Sequence, residues 1–158
     1  MTDIFEDIGS WLTLGLAVAA LFGNRPAYVL FVVIGVIFMP VKAAVEGFAP
    51  TPCEMTPSFS LAIHSFQNYR HIVLFTFFTL ITRAQFARDD RKRLLKVASI
   101  VLAMGAIVEL EQGLTGRGHC RLRDLIPDVV GLCIGASITV AWDRIRQLWA
   151  RPTGRHSP

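Results

Sequence analysis

Five apolar stretches separated by charge-rich joins constrain this chain more than any other feature. Residues 8–24 (IGSWLTLGLAVAALFGN) and 27–41 (AYVLFVVIGVIFMPV) carry no charge, and Lys42 follows the second. Residues 71–87 (HIVLFTFFTLITRAQFA) hold Arg83 near their end, 94–108 (LLKVASIVLAMGAIV) hold Lys96, and the fifth stretch runs from Leu125 to Trp142 with Asp128 at its start. At 1.5 Å per residue, a helix needs about 20 residues to cross about 30 Å of hydrocarbon. Each uncharged run is shorter than that, so the charged ends are expected in a headgroup layer or facing one another inside a bundle. The pattern predicts an all-α polytopic membrane helical bundle of five transmembrane helices. Four is the other count, if the first run lies flat at an interface.

Composition agrees with contact to lipid. Hydrophobic residues make up 53% and charged residues 18% of the 158, where a soluble domain carries about 25% charged residues. A soluble helical bundle with a large core is the alternative. The length fits one domain, residues 1–158, with 143–158 a basic tail. The net charge of +4 would suit nucleic acid, but the basic residues cluster at the ends of apolar runs without aromatic interleaving, so no nucleic-acid partner is expected. No P-loop, dinucleotide fingerprint, H-E-x-x-H or G-x-S-x-G pattern occurs, and no cofactor is expected. Cys53, Cys120 and Cys133 lack paired ligand spacing, so no metal is expected either. The acidic start, MTDIFEDIGS, is unlike a signal peptide.

The joins suggest an orientation. Residues 83–96 hold Arg83, Arg88, Arg91, Lys92, Arg93 and Lys96 against two aspartates, and the tail holds Arg144, Arg146, Arg151 and Arg155 against one. The Lys/Arg bias of short loops places both on the cytoplasmic side. Five crossings satisfy both and leave the N-terminus outside and the C-terminus cytoplasmic. Residues 43–70 and 109–124 then face outward. Cys53 and Cys120 share that side, as a disulfide or as two free thiols. Cys133 is expected to be a small buried hydrophobe.

The stretch ELEQGLTGRGHCRLRDLIPDVVG, residues 109–131, carries the candidate chemistry. Glu109 and Gln112 share one helix face, whereas Glu111 points elsewhere, towards headgroups or solvent. Arg117 and Arg121 fall in the loop, Asp124 suits a helix N-cap, and Asp128 lies one turn below it, where capping is not a full explanation. Gly131 and Gly135 continue that stripe and suit close helix packing, in a homodimer or equally within one subunit. Candidate partners for the carboxylates come from HSFQNYRHIVLF, where Asn68 and His71 are three residues apart. Polar groups at such depth are expensive unless paired. Two readings follow: a structural polar network fastening helix ends, or an outward-facing polar pocket for an anionic amphiphile. Glu109, Asp124, Asp128 and His71 would also suffice for acid–base chemistry.

These residues resemble the VanZ-like family of small integral membrane proteins. The family's C-terminal signature is Glu, two residues, Gln, a short loop with Arg, then Asp-x-x-x-Asn-x-x-Gly-x-x-x-Gly. Here Glu109, Gln112, Arg117, Asp124, Asp128, Gly131 and Gly135 stand at closely similar spacings. IFMPVK and FQNYRHIVLF are similar to two upstream family segments, and the resemblance spans residues 28–142. Asp128 departs from the usual Asn, and the loop GHCRLRD is about one residue longer than the family's. The resemblance implies an envelope-related binding or accessory protein of the bacterial inner membrane, of unestablished activity, with a membrane lipid or lipid-linked envelope molecule as partner. The alternative is a membrane-embedded hydrolase or transferase acting on a lipid-linked or envelope substrate.

Overall fold

The apolar runs become helices whose ends follow local chemistry. The structure, a computed structural model, describes residues 2–54, 68–116 and 120–149. Helix α1 spans Thr2–Leu21. A turn through Gly23 leads to α2, Arg25–Glu46, whose first turn is capped by Asn24 Oδ1 accepting from the Ala27 N–H at 3.0 Å. Pro26 stands where a first-turn proline costs nothing, because its missing N–H would have no helical partner there. Helix α3 is Tyr69–Ala84, α4 is Arg93–Thr115, and a 3-10 turn at Leu122–Asp124 runs directly into α5, Leu125–Trp149. Helix α4 ends at Gly116 in the left-handed conformation, φ +69°, with the Ala49 carbonyl against the place a Cβ would occupy. Glycine alone satisfies both demands.

Helix α3 is central. It packs most extensively on α5 and also meets α1 and α4, while α2 leans on α1 and α4. Ala20, Phe75, Phe78, Ile81, Val97 and Val101 form the buried core. The Phe78 ring lies 6.4 Å from Tyr28, 6.5 Å from Phe31 and 6.4 Å from Phe75, within the range of favourable aromatic pairs. The α3–α5 contact depends on two glycines. A Cβ on Gly131 would fall 2.6 Å from the Ile72 carbonyl oxygen, and one on Gly135 would fall 2.7 Å from Thr79 Cβ and 2.9 Å from the Thr76 carbonyl oxygen. The glycine stripe therefore packs inside one chain. Thr76 Oγ1 also donates to the Gly131 carbonyl at 3.2 Å.

The all-α class stands, and the five-crossing membrane bundle is corrected. Among the described residues two helical stretches, Arg25–Val45 and Leu122–Trp149, are long and apolar enough to cross a bilayer, against five expected. The first apolar run reaches only Trp11–Leu21. The apolar character of α3 and α4 is interrupted by His71, Arg83, Glu109 and Glu111, which turn into the protein. Ion pairs, a disulfide and the aromatic cluster cross-link the helices instead. The assignment to an inner membrane or cell envelope, with the N-terminus outside and the C-terminus cytoplasmic, rested on five crossings and falls with them. Cys133, expected to be buried, is exposed. Arg117, Arg151 and Arg155 lie outside the described residues.

Substituting Gly135 tests the close contact. Alanine gains about 1 kcal/mol of helix propensity, yet its methyl meets backbone as well as a side chain. Gly135→Ala is expected to destabilise by about 1–3 kcal/mol net, as overpacking does, measured by chemical denaturation followed by circular dichroism.

Candidate functional site

The α3–α5 contact brings two ionisable residues together at one end of the bundle. His71, in the first turn of α3, places Nδ1 2.8 Å from Oδ1 of Asp128 in the first turn of α5. Asp128 is 1% exposed. Its other oxygen, Oδ2, would lie 2.7 Å from a Cβ on Gly105, so α4 leaves room for the carboxylate by having no side chain there. The His71 ring also stacks over Phe75 at 6.1 Å. Burial alone would make the Asp128 carboxylate expensive, and the imidazole is the partner that offsets this.

Glu109 reaches the same region from α4. Its Oε2 accepts from the Arg121 backbone N–H at 2.7 Å, while its buried Oε1 has no hydrogen-bond partner among the described residues. Two segments cover this end. Residues 49–54 run along the end of α4, with Ala49 N–H donating to Thr115 and Thr51 N–H to Gly113. Glu54 then forms an isolated parallel bridge with Arg121, its N–H donating to Cys120 while its carbonyl accepts from Leu122. Cys53 and Cys120 are joined by a disulfide across 67 residues. Gly113 faces it, and a Cβ there would lie 2.9 Å from Cys53 Sγ. The Glu54 carboxylate pairs with Arg121 Nε at 3.5 Å and Arg123 Nη1 at 3.3 Å, forming a partly exposed rim.

Charge follows from this placement. The hydrogen bond to Asp128 holds the His71 imidazole above its usual value, more than burial lowers it, and Asp124 and Glu109 add to the rise. Burial pushes the Glu109 carboxyl up, against the Arg121 N–H that pulls it down. Burial likewise raises Asp128, with His71 opposing. A site with these groups takes up protons more readily than the same groups in water.

The residues singled out in the sequence divide accordingly. His71, Glu109 and Asp128 come together, with Asp124 close enough to influence His71 and Glu109 electrostatically. Asp124 closes the 3-10 turn, its N–H donating to the Arg121 carbonyl. Asn68 precedes α3 without a side-chain cap; its carbonyl accepts from His71 and Ile72 N–H. Gln112 contributes its carbonyl to the Gly116 cap. Arg121 offers its backbone to Glu109 and turns its guanidinium to Glu54. Glu111, expected to face outward, is buried, which raises its carboxyl. Glu54 and Arg123 were missed; only their proximity to the two cysteines offered a signal.

The outward-facing pocket for an anionic amphiphile is therefore corrected. Acidic groups dominate the described site, Arg121 is spent on Glu54, and the chain is cross-packed all-α. The envelope-related binding or accessory role falls with the pocket, as does the alternative of a membrane-embedded hydrolase or transferase. Among the described residues no group of three His, Cys, Asp or Glu side chains is arranged to hold a metal ion.

Two expectations follow. A raised His71 value means the folded state holds its proton more tightly than the unfolded chain. That contribution is fully present below the unfolded value, near 6.5, and is lost as pH rises through the folded value. His71→Gln is expected to flatten this part of the stability–pH curve in urea denaturation. Closing a loop of this length by a disulfide contributes roughly 4 kcal/mol through chain entropy. Cys53→Ser is therefore expected to lower stability by about 2–5 kcal/mol, measured by denaturant midpoint.

Comparison with known proteins adds no identification: no family model, no curated protein and no solved structure matches this chain.

Proposed function

We propose that this protein is a helical binding module whose acidic end takes up a small cationic or hydrogen-bond-donating group, with proton release from its carboxyls coupled to the binding of a cation. One observation carries the reading: Oε1 of Glu109, a residue 5% exposed, is buried without a partner among the described residues. Buried polar atoms in native proteins are nearly always satisfied, and an unmatched acceptor is stabilised by a donor that reaches it. Asp124 and Asp128 lie within electrostatic reach and favour a cation there. The rim beside Glu109 consists of the partly exposed Glu54–Arg121 and Glu54–Arg123 pairs. Such pairs contribute little each, so the rim gives way cheaply. Apolar side chains left outward on α2 and α5, among them Phe38, Ile138 and Trp149, favour an apolar surface as a further partner, a lipid layer or a second copy of the chain. Membership of the VanZ-like family is likewise a proposal, resting on the order and spacing of Glu109, Gln112, Arg117, Asp124, Asp128, Gly131 and Gly135.

The test uses agmatine, a guanidinium-bearing probe, with 1-butanol as the neutral control. Calorimetric titration of the full chain is expected to show saturable agmatine binding that weakens roughly tenfold or more in Glu109→Gln, the range of one charge-assisted hydrogen bond. Glutamine can still accept from the Arg121 N–H, which keeps the local fold. Equal binding by both proteins, or none by either, would sink the assignment.

A further inference from the structure

At the opposite end of the bundle, α1, α3 and α5 enclose a groove of about 640 Å³. Arg83, Arg88 and Arg146 line it, with Asp143 as the acid among the lining residues and Phe22 and Trp142 among the apolar walls. Its volume falls within the range of small-molecule sites, roughly 300–1,000 Å³. The charge is not balanced internally. Asp143 Oδ2 accepts from Arg83 Nη2 at 2.8 Å and from Arg93 Nη2 at 2.7 Å, so one carboxylate serves two guanidiniums. The Nε atoms of both arginines are buried without an acceptor among the described residues. Burial would raise the Asp143 carboxyl, but the bonds and charges of Arg83 and Arg93 outweigh it and hold the group below its usual value. Asp143 therefore stays an anion, already shared by two cations.

That leaves Arg88 and Arg146, both exposed, with no acid among the lining residues to match them. Arg146 lies over the Trp142 ring at 5.5 Å, which orients its guanidinium beside an apolar face. Guanidinium forks match the oxygens of a phosphate, and a phosphomonoester carries close to two negative charges at neutral pH. Trp142 and Phe22 provide flat apolar surface for whatever the phosphate is attached to.

We propose that this groove is a binding site for a small organic phosphate, with Arg88 and Arg146 holding the phosphate and Trp142 and Phe22 flanking its apolar part. The site is separate from the Glu109 end and does not depend on the function proposed there.

Phenyl phosphate is the probe, titrated calorimetrically into the full chain, with phenol, inorganic phosphate and phosphatidic acid vesicles in parallel. Saturable binding of phenyl phosphate is expected, tighter than that of phenol or inorganic phosphate. Arg88→Gln and Arg146→Gln are each expected to weaken it about tenfold. Both residues are exposed and outside the Asp143 ion pairs, and an unchanged circular dichroism melt confirms that the fold is intact. Absence of saturable binding, or an affinity that neither substitution changes, overturns the proposal. Binding to the vesicles without binding to phenyl phosphate overturns it as well, because the ligand would then be a lipid surface.

Discussion

The close approach of α5 to α3 at Gly131 and Gly135 is the contact on which the rest of this structure depends. Two absent side chains let the helices meet backbone to side chain, and the first turns of both helices then face each other through His71 and Asp128. His71 and Asp128 stand 57 residues apart in the chain and 2.8 Å apart in space because of that approach. At the other end the same two helices bring Arg83 and Asp143 together. A tightly packed interior transmits such constraints over its whole length, since neighbouring side chains leave no slack to absorb a shift.

The two ends differ in electrostatic character. One gathers carboxylates around an imidazole, beside loops joined by a disulfide and a strand-like bridge. The other gathers guanidiniums around one carboxylate, beside an aromatic wall. Between them lies the aromatic core on α3. Burial magnifies charge effects at each end, because little water remains to screen them.

Much of the local structure was legible in the sequence. The apolar runs gave the helices, although α4 continues through Glu109 and Glu111 to Thr115, beyond the uncharged stretch that suggested it. That extension was hidden because carboxylates at those positions looked like a helix end, whereas they turn into the protein. The count of crossings failed for the same reason: apolar length in a sequence does not say whether the apolar face meets lipid or another helix. Glu54 was invisible as a site residue, lying in a proline-rich loop whose position depends on pairing with Arg121.

The sequence by itself determined which stretches become helices and how some are capped, as at Asn24 and Gly116, because such caps act within a few residues. It also supplied the glycine stripe and the cluster of ionisable groups from Glu109 to Asp128. Tertiary structure alone decided which of these groups meet. It paired His71 with Asp128, directed Arg121 towards Glu54, joined Cys53 to Cys120 and left Oε1 of Glu109 without a donor. Those outcomes depend on how whole helices pack, and a contact between distant residues has no local signature in the chain that makes it.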